Sequence, residues 1–390
     1  MTRQDARIGL RLEYFSFCLM PHSSSLYPSL ASLASLAAWR LSYLNWLQAW
    51  KELPMKVVAI TGKRTCDVVD RPDPRIKGEF VKVKILSAPM CTEVQAYRNG
   101  DANDCLGHEA AGEVVEIARP GKVAVGDRVI VMPQYSCGKC GLCLSGEHIH
   151  CRQPIDPYAF CDSQTGRATY AQFCIKQDWL LVPIPEDISY DHASMGCCGL
   201  GPTFNAMQKM NVNAFDTVLI SGLGPVGLGG VVNAKSRGAR VIGLESNPYR
   251  AALAKSLGAE EVVDFRDERK LDRILDLTEG RGADKSIEAS SAEDAPAFLV
   301  EATRPKGQVA SVGWGGPVTA RKMVGKGLTF HGIWHWNHFQ DTEAMLKTIR
   351  QSKPLLDKLI THVFPMEKVK DAFELQLTGN CGKVILYPWS

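Results

Sequence analysis

The stretch Thr217–Glu245, TVLISGLGPVGLGGVVNAKSRGARVIGLE, decides the fold. TVLIS is an apolar run of strand length, and GLGPVG follows it as a tight turn. LGGVVNAKSRG then reads as a helix ended by Gly238, and RVIGLE as a second strand. A glycine motif proves little alone. Here it follows a predicted strand and opens a predicted helix, the context in which it cradles a dinucleotide. Gly222 permits the tight turn, Gly224 lets backbone approach a pyrophosphate, and Gly227 permits close packing of helix on strand. Leu223, Pro225 and Val226 complete the loop, and the helix N-terminus behind them offers free N–H groups and a positive dipole end. Glu245 closes the second strand. A carboxylate there accepts hydrogen bonds from ribose hydroxyls and repels a 2′-phosphate, so NAD(H) is expected rather than NADP. Arg250 lies close in sequence and would soften that preference.

Working outward, the alternation continues. NPYRAALAKSLG is a helix with Asn247 as N-cap and Pro248 in its first turn, and EEVVDF, ADKSIEA and QVASVGW are further strands. Strands alternating with helices of this length imply right-handed crossovers and a doubly wound parallel sheet. Upstream, from Met55 to about Gly201, the pattern differs. VKVKILSAP, AGEVVEI and DRVIVMP are short strands separated by turn residues, which makes an irregular β domain. The expected division is residues 55–201 for that domain and 202–340 for the nucleotide domain, with 341–390 returning to the first.

Between them in style lies CGKCGLCLSGEHIHC, residues 137–151. Its C-x2-C-x2-C-x7-C spacing lets Cys137, Cys140, Cys143 and Cys151 surround one tetrahedral ion. Zinc suits four thiolates, and a closed four-thiolate site leaves no position for chemistry, so this is a structural zinc lobe. The rival is an iron–sulfur cluster, but its bacterial signature has a three-residue last spacer followed by proline. Here the spacer is seven residues and Arg152 follows.

The order of PMCTEV with Cys91, LGHEAAGEV with His108 and Glu109, the cysteine lobe, GCCGLGPTFNAM with Cys197 and Cys198, and SGLGPVG resembles the zinc-containing medium-chain alcohol and polyol dehydrogenases. The resemblance runs from about Met55 to the C-terminus. It implies an α/β protein with a GroES-like irregular β-barrel catalytic domain and a Rossmann domain. It also implies a catalytic zinc on Cys91, His108 and Cys198, with Cys197 as the alternative third ligand. Glu109 resembles the family's carboxylate beside the metal. Two Zn2+ per chain and NAD(H) follow as cofactors. Such a zinc lowers the pKa of an alcohol while NAD accepts the hydride. One departure stands out. The family's ligand cysteine is commonly followed by Gly-Thr/Ser-Asp, whose hydroxyl relays the alcohol proton. This chain has Thr92, Glu93 and Val94 instead. Glu93 then becomes a base towards the alcohol or a partner of His108, with Thr92 as the alternative relay.

Composition bounds the rest. The chain has 390 residues, 45% hydrophobic and 22% charged, with net charge +3 and no long basic run, so neither nucleic acid nor a membrane surface is indicated as partner. Thirteen cysteines gathered at ligand spacings favour a reducing compartment, hence the cytoplasm. A small alcohol or carbonyl compound is the expected substrate, and the resemblance implies a homo-oligomer, dimer or tetramer. Residues 1–54 carry no motif of the family. They read as an extension outside the fold, or else as a targeting or partner segment. The competing functions are a zinc-free double-bond reductase of the same superfamily and a non-catalytic nucleotide-sensing or structural protein that keeps the fold.

Overall fold

Short runs of β-branched residues, interrupted by Gly and Pro, form seven strands in the first half. They are β1 (Met55–Gly62), β2 (Thr65–Arg71), β3 (Phe80–Pro89), β4 (Ala110–Ile117), β5 (Arg128–Val131), β6 (Phe173–Gln177) and β7 (Leu181–Pro183). A computed structural model describes residues 54–390, so the extension expected before Met55 lies, apart from Pro54, outside the described residues. β1 and β2 pair as an antiparallel hairpin, and β3 is flanked antiparallel by β4 and β6. Six parallel strands follow: β8 (Thr217–Ser221), β9 (Arg240–Leu244), β10 (Glu261–Val263), β11 (Ala283–Glu288), β12 (Thr303–Ser311) and β13 (Thr329–Gly332). Two more close the chain, β14 (Ile360–Pro365) and β15 (Lys383–Tyr387).

The parallel sheet has the order β10-β9-β8-β11-β12-β13. In order of appearance that is 3-2-1-4-5-6, the doubly wound arrangement, and its order reverses between β8 and β11. β8 is buried along its whole length, as a strand covered by helices on both faces must be. The two loops at the switch point meet. Gly222 ends β8 at φ +83, and a Cβ there would lie 2.6 Å from the Cα of Ser290, which follows β11. Buried Glu288 holds that second loop by accepting from the backbone N–H groups of Ser290 and Ser291 at 2.6 and 2.7 Å.

The helix Pro225–Ser236 begins on Gly224, which has no capping side chain, so its first N–H groups face the crevice. Asn247 caps the next helix by accepting from the N–H of Arg250. The other sheet has the order β14-β15-β3-β4-β5-β7. The last strand of the chain therefore pairs antiparallel with β3, at Leu386 with Ala88 and Ile385 with Pro89. That return carries Lys383 beneath the loop of His108 and Glu109. No helix among the described residues is long and apolar enough to cross a membrane.

The glycine turn yields a stability prediction. A Cβ on Gly227 would stand 1.9 Å from the carbonyl oxygen of Gly222, so backbone must move to admit it. Gly227→Ala is expected to cost about 1–3 kcal/mol of stability, read as a lowered urea midpoint against the unaltered chain. An unchanged midpoint would show that the turn yields freely.

Candidate catalytic metal centre and nucleotide cleft

Three segments distant in sequence converge below the crevice. Cys91 follows β3, His108 and Glu109 precede β4, and Cys198 precedes the helix Gly201–Lys209. One ligand atom from each of Cys91, His108, Glu109 and Cys198 lies within 4.8 Å of the others. Cys197 turns the other way, donating its thiol to the carbonyl of Val131 at 3.2 Å in the core. The chain thus offers Cys198, and not its neighbour, to the cluster. Two thiols and an imidazole are the soft and borderline donors that zinc takes.

The surroundings of His108 fix which nitrogen is offered. Its Nδ1 lies 2.6 Å from Glu93 Oε1, while its Nε2 points to the cluster, 4.0 Å from Glu109 Oε1. The other oxygen of Glu93 accepts from the Tyr170 hydroxyl at 2.9 Å, and that hydroxyl in turn accepts from the Cys91 N–H at 3.2 Å. Burial works against the charge on Glu93, yet its hydrogen bond with His108 prevails and holds the carboxyl at about 2. His108 is likewise opposed by burial, and its bonds to Cys91 and Glu93 carry it up to about 11. The hydrogen bond from Cys198 holds the Cys91 thiol well below its ordinary value, against burial and with help from Lys383 and His108.

Glu109 is fully buried. Its Oε2 accepts from the N–H of Cys198 at 3.1 Å, and its Oε1 pairs with the Lys383 ammonium at 2.6 Å, both side chains being 0% exposed. Burial pushes the Glu109 carboxyl up to about 7 despite Lys383. The Lys383 ammonium is raised, since Glu109 and the two thiols outweigh the cost of burying it. Thr92 lines the open cleft beside Cys91, His108 and Cys198, whereas Glu93 is turned into the His108–Tyr170 network. Sequence reasoning offered Glu93 two roles, and its contacts are those of a partner to His108. Lys383 and Tyr170 were missed; a lone lysine opening an apolar strand and a tyrosine in a turn carry no local signature.

The lobe Cys137–Cys151 forms a second cluster, with all four sulfurs within 4.8 Å. Sulfur separations of 3.5 Å for Cys140–Cys143, 3.8 Å for Cys137–Cys143 and 4.0 Å for Cys140–Cys151 bracket the edge of about 3.8 Å expected of a tetrahedron of ligands at ~2.3 Å. Backbone N–H groups of Cys137 and Cys140 donate to these sulfurs. Each cysteine among the described residues is free.

The cleft above the first cluster measures ≈ 1310 Å³ and runs to the glycine turn, with Cys91, His108 and Cys198 at one end and Gly224, Pro225 and Val226 at the other. A second hollow of ≈ 310 Å³ adjoins it, lined by Gly222, Glu245 and Arg250, with Lys270 and Phe265. Glu245 accepts from the N–H groups of Leu223, Ser246 and Asn247 at 2.9–3.0 Å, so its carboxylate is held at the end of β9.

Comparison with known proteins follows the same lines. Residues 77–186 match the family model described as alcohol dehydrogenase GroES-like domain, and residues 225–351 that described as zinc-binding dehydrogenase. L-threonine 3-dehydrogenase of Pyrococcus horikoshii is 32% identical over 335 residues, covering 81% of this chain and 93% of that protein. The chain belongs to the zinc-binding alcohol dehydrogenase family. Sorbitol dehydrogenase of Bacillus subtilis, another relative, is 27% identical over 353 residues, with 86% and 97% covered. The solved alcohol dehydrogenase TADH from Thermus sp. ATN1 shares the fold, with a TM-score of 0.77 at 23% identity over 85% of this chain and 99% of that one. As a family member the chain is an oxidoreductase of two domains, a GroES-like one and a Rossmann one.

The buried pair makes a prediction. Lys383→Met leaves Glu109 buried without its counter-charge, and is expected to cost about 3–5 kcal/mol. Glu109→Gln should also destabilise. The double variant should lose less than the two single losses added, because the two groups interact directly. Strict additivity in urea unfolding would show that the pair is not coupled.

Proposed function

We propose that this chain is a zinc-dependent alcohol or polyol dehydrogenase that interconverts a carbinol and its carbonyl compound with NAD(H). The observation that carries the reading is the convergence of Cys91, His108 and Cys198 at one end of a cleft whose other end is the glycine turn. The two clusters together account for two Zn2+ per chain, one in the cleft and one in the lobe. A zinc-free reductase has no use for the first cluster, and a nucleotide sensor has no use for a metal site open to the cleft.

Cys91, His108 and Cys198 would hold a zinc ion that supplies a Lewis acid for the alcohol oxygen, and the glycine turn would hold an NAD that supplies the hydride acceptor. The protein's part is positional. Glu93 holds Nδ1 of His108, which leaves Nε2 free as a ligand. Tyr170 ties Glu93 to the backbone of Cys91, so ligand and orienting group move together. Thr92 lines the cleft beside Cys91 and offers a hydroxyl for passing the alcohol proton towards solvent. Glu109 and Lys383 set the field beneath the thiols. Glu245, with Arg250 beside it, receives the adenosine ribose, and the N-terminus of Pro225–Ser236 receives the pyrophosphate. The division of the chain at residues 201 and 340, the NAD preference, a homo-oligomeric state and a cytoplasmic location belong to the same proposal.

The test is metal analysis with an absorbance assay. The full chain purified without chelator should hold about two zinc ions and reduce NAD with at least one member of a panel of secondary alcohols and polyols. Metal content of one, or no turnover across the panel, would overturn the reading. Cys140→Ser should lose one ion and much of the stability, because a closed site contributes directly to folding. Cys198→Ser should stay folded with the lobe zinc retained and be inactive. Glu93→Gln should weaken cleft-zinc affinity by about 10–100-fold. Thr92→Val should keep zinc and lower kcat. Full activity in Thr92→Val would move the relay elsewhere.

A further inference from the structure

The segment Ile333–His338, IWHWNH, follows β13 and crosses the floor of the cleft. It is held at several points. The Ile333 N–H donates to the carbonyl of Ser311, Asn205 donates to the carbonyl of His335 at 2.5 Å, and Trp336 Nε1 donates to the carbonyl of Gly196 at 2.7 Å. The backbone is thus held at Ile333 and His335, and the Trp336 side chain ties the segment to the residue two places before Cys198. His335 is 2% exposed and lines the cleft that holds Cys91, His108 and Cys198. Neither of its ring nitrogens has a hydrogen-bond partner among the described residues.

Unpaired buried nitrogens are costly, and a native protein rarely leaves both on one ring without a use. Burial pushes His335 down to about 3, so the ring is neutral and presents one donor and one acceptor. A second cleft residue is in the same condition. Gln134 Oε1 is buried and unpaired, while its amide nitrogen lies 3.4 Å from His338. The indoles of Trp314 and Trp334 also line the cleft, edge to face at 5.7 Å, and are 79% and 50% exposed. Flat apolar faces beside unpaired polar atoms suit a molecule whose carbon chain carries several hydroxyls.

We propose that His335 is a specificity-determining residue, which hydrogen-bonds a second hydroxyl of the substrate beside the carbinol that reacts. The inference rests on the dehydrogenase reading and narrows its substrate class to vicinal diols and polyols. A monohydric alcohol would fill the same space and leave both imidazole nitrogens unpaired. A site built to hold a hydroxyl rejects the analogue that lacks it more strongly than an apolar pocket rejects an added one.

The experiment compares butane-2,3-diol with butan-2-ol on the full zinc-loaded chain. Dissociation constants are read from the fluorescence of bound NADH, and kcat/KM from NAD reduction. The unaltered protein should bind and turn over the diol better. His335→Phe keeps ring volume and removes both nitrogens. It should cut affinity for the diol by about ten- to a hundredfold, affect butan-2-ol much less, and leave zinc content and the KM for NAD unchanged. His335→Gln should recover part of the loss by restoring a donor and an acceptor. Equal loss on both alcohols, no loss on either, or a change confined to the KM for NAD would each overturn the proposal. Preferential diol binding lost in His335→Phe, without turnover of either alcohol by any form, would sustain the His335 assignment and overturn the dehydrogenase reading. Turnover without diol preference would do the reverse.

Discussion

The buried contact between Lys383 and Glu109 governs how the two ends of the chain can be arranged. Two full charges 0% exposed are tolerated only at close range, and the 2.6 Å separation admits little relative movement of β15 and the loop before β4. The pair also sets the charge of the cluster. Lys383 offsets the Glu109 carboxylate, so the thiols of Cys91 and Cys198, with the Glu93 carboxylate behind His108, are left to face a cation. A site with Glu109 but without Lys383 would hold a buried carboxylate without its counter-charge, and one without either would have no anchor for the Cys198 N–H. The stability of the last strand and the charge balance of the metal centre are thus one constraint.

A second constraint is the crossing of IWHWNH between parts that would otherwise be independent. Asn337 donates to the carbonyl of Ser145 in the cysteine lobe, and the rings of His148 and His338 stack at 4.7 Å. The same run is tied to Gly196, two residues before Cys198, and to the end of β12 through Ile333. The lobe, whose own cluster has no open position, therefore bears on the segment that floors the cleft. That gives the lobe a positional role in addition to its local stability.

What could be read from sequence was what is local. The strand, glycine turn, helix and acid of Thr217–Glu245 lie within one βαβ unit, so period and turn chemistry sufficed. The four lobe cysteines lie within fifteen residues and their spacing alone describes a metal knot. The cleft cluster was legible only through resemblance, because Cys91, His108 and Cys198 are brought together by tertiary pairing. Glu109 and Lys383 are separated by 274 positions, and no pattern in an apolar strand distinguishes a lysine that turns in from one that turns out. The preference for Cys198 over Cys197 likewise came from the resemblance, since adjacent residues differ only in which side of the chain faces the cluster.

The departure at Cys91-Thr92-Glu93 becomes coherent once local geometry is considered. The Gln95 N–H bonds the carbonyl of Thr92, and the helix Val94–Asn99 starts with Glu93 already in helical conformation. This turn directs Thr92 to the cleft and Glu93 away from it, towards His108 and Tyr170. A carboxylate moved one position would face the cleft and add negative charge beside the thiols. Placed where it is, the same charge strengthens a ligand instead, because a carboxylate on Nδ1 raises the basicity of the opposite nitrogen. The hydroxyl and the acid each stand one position earlier than expected, and the turn points the first to the cleft and the second to His108. The chemistry offered to the cleft is therefore still that of a hydroxyl beside two thiols and an imidazole.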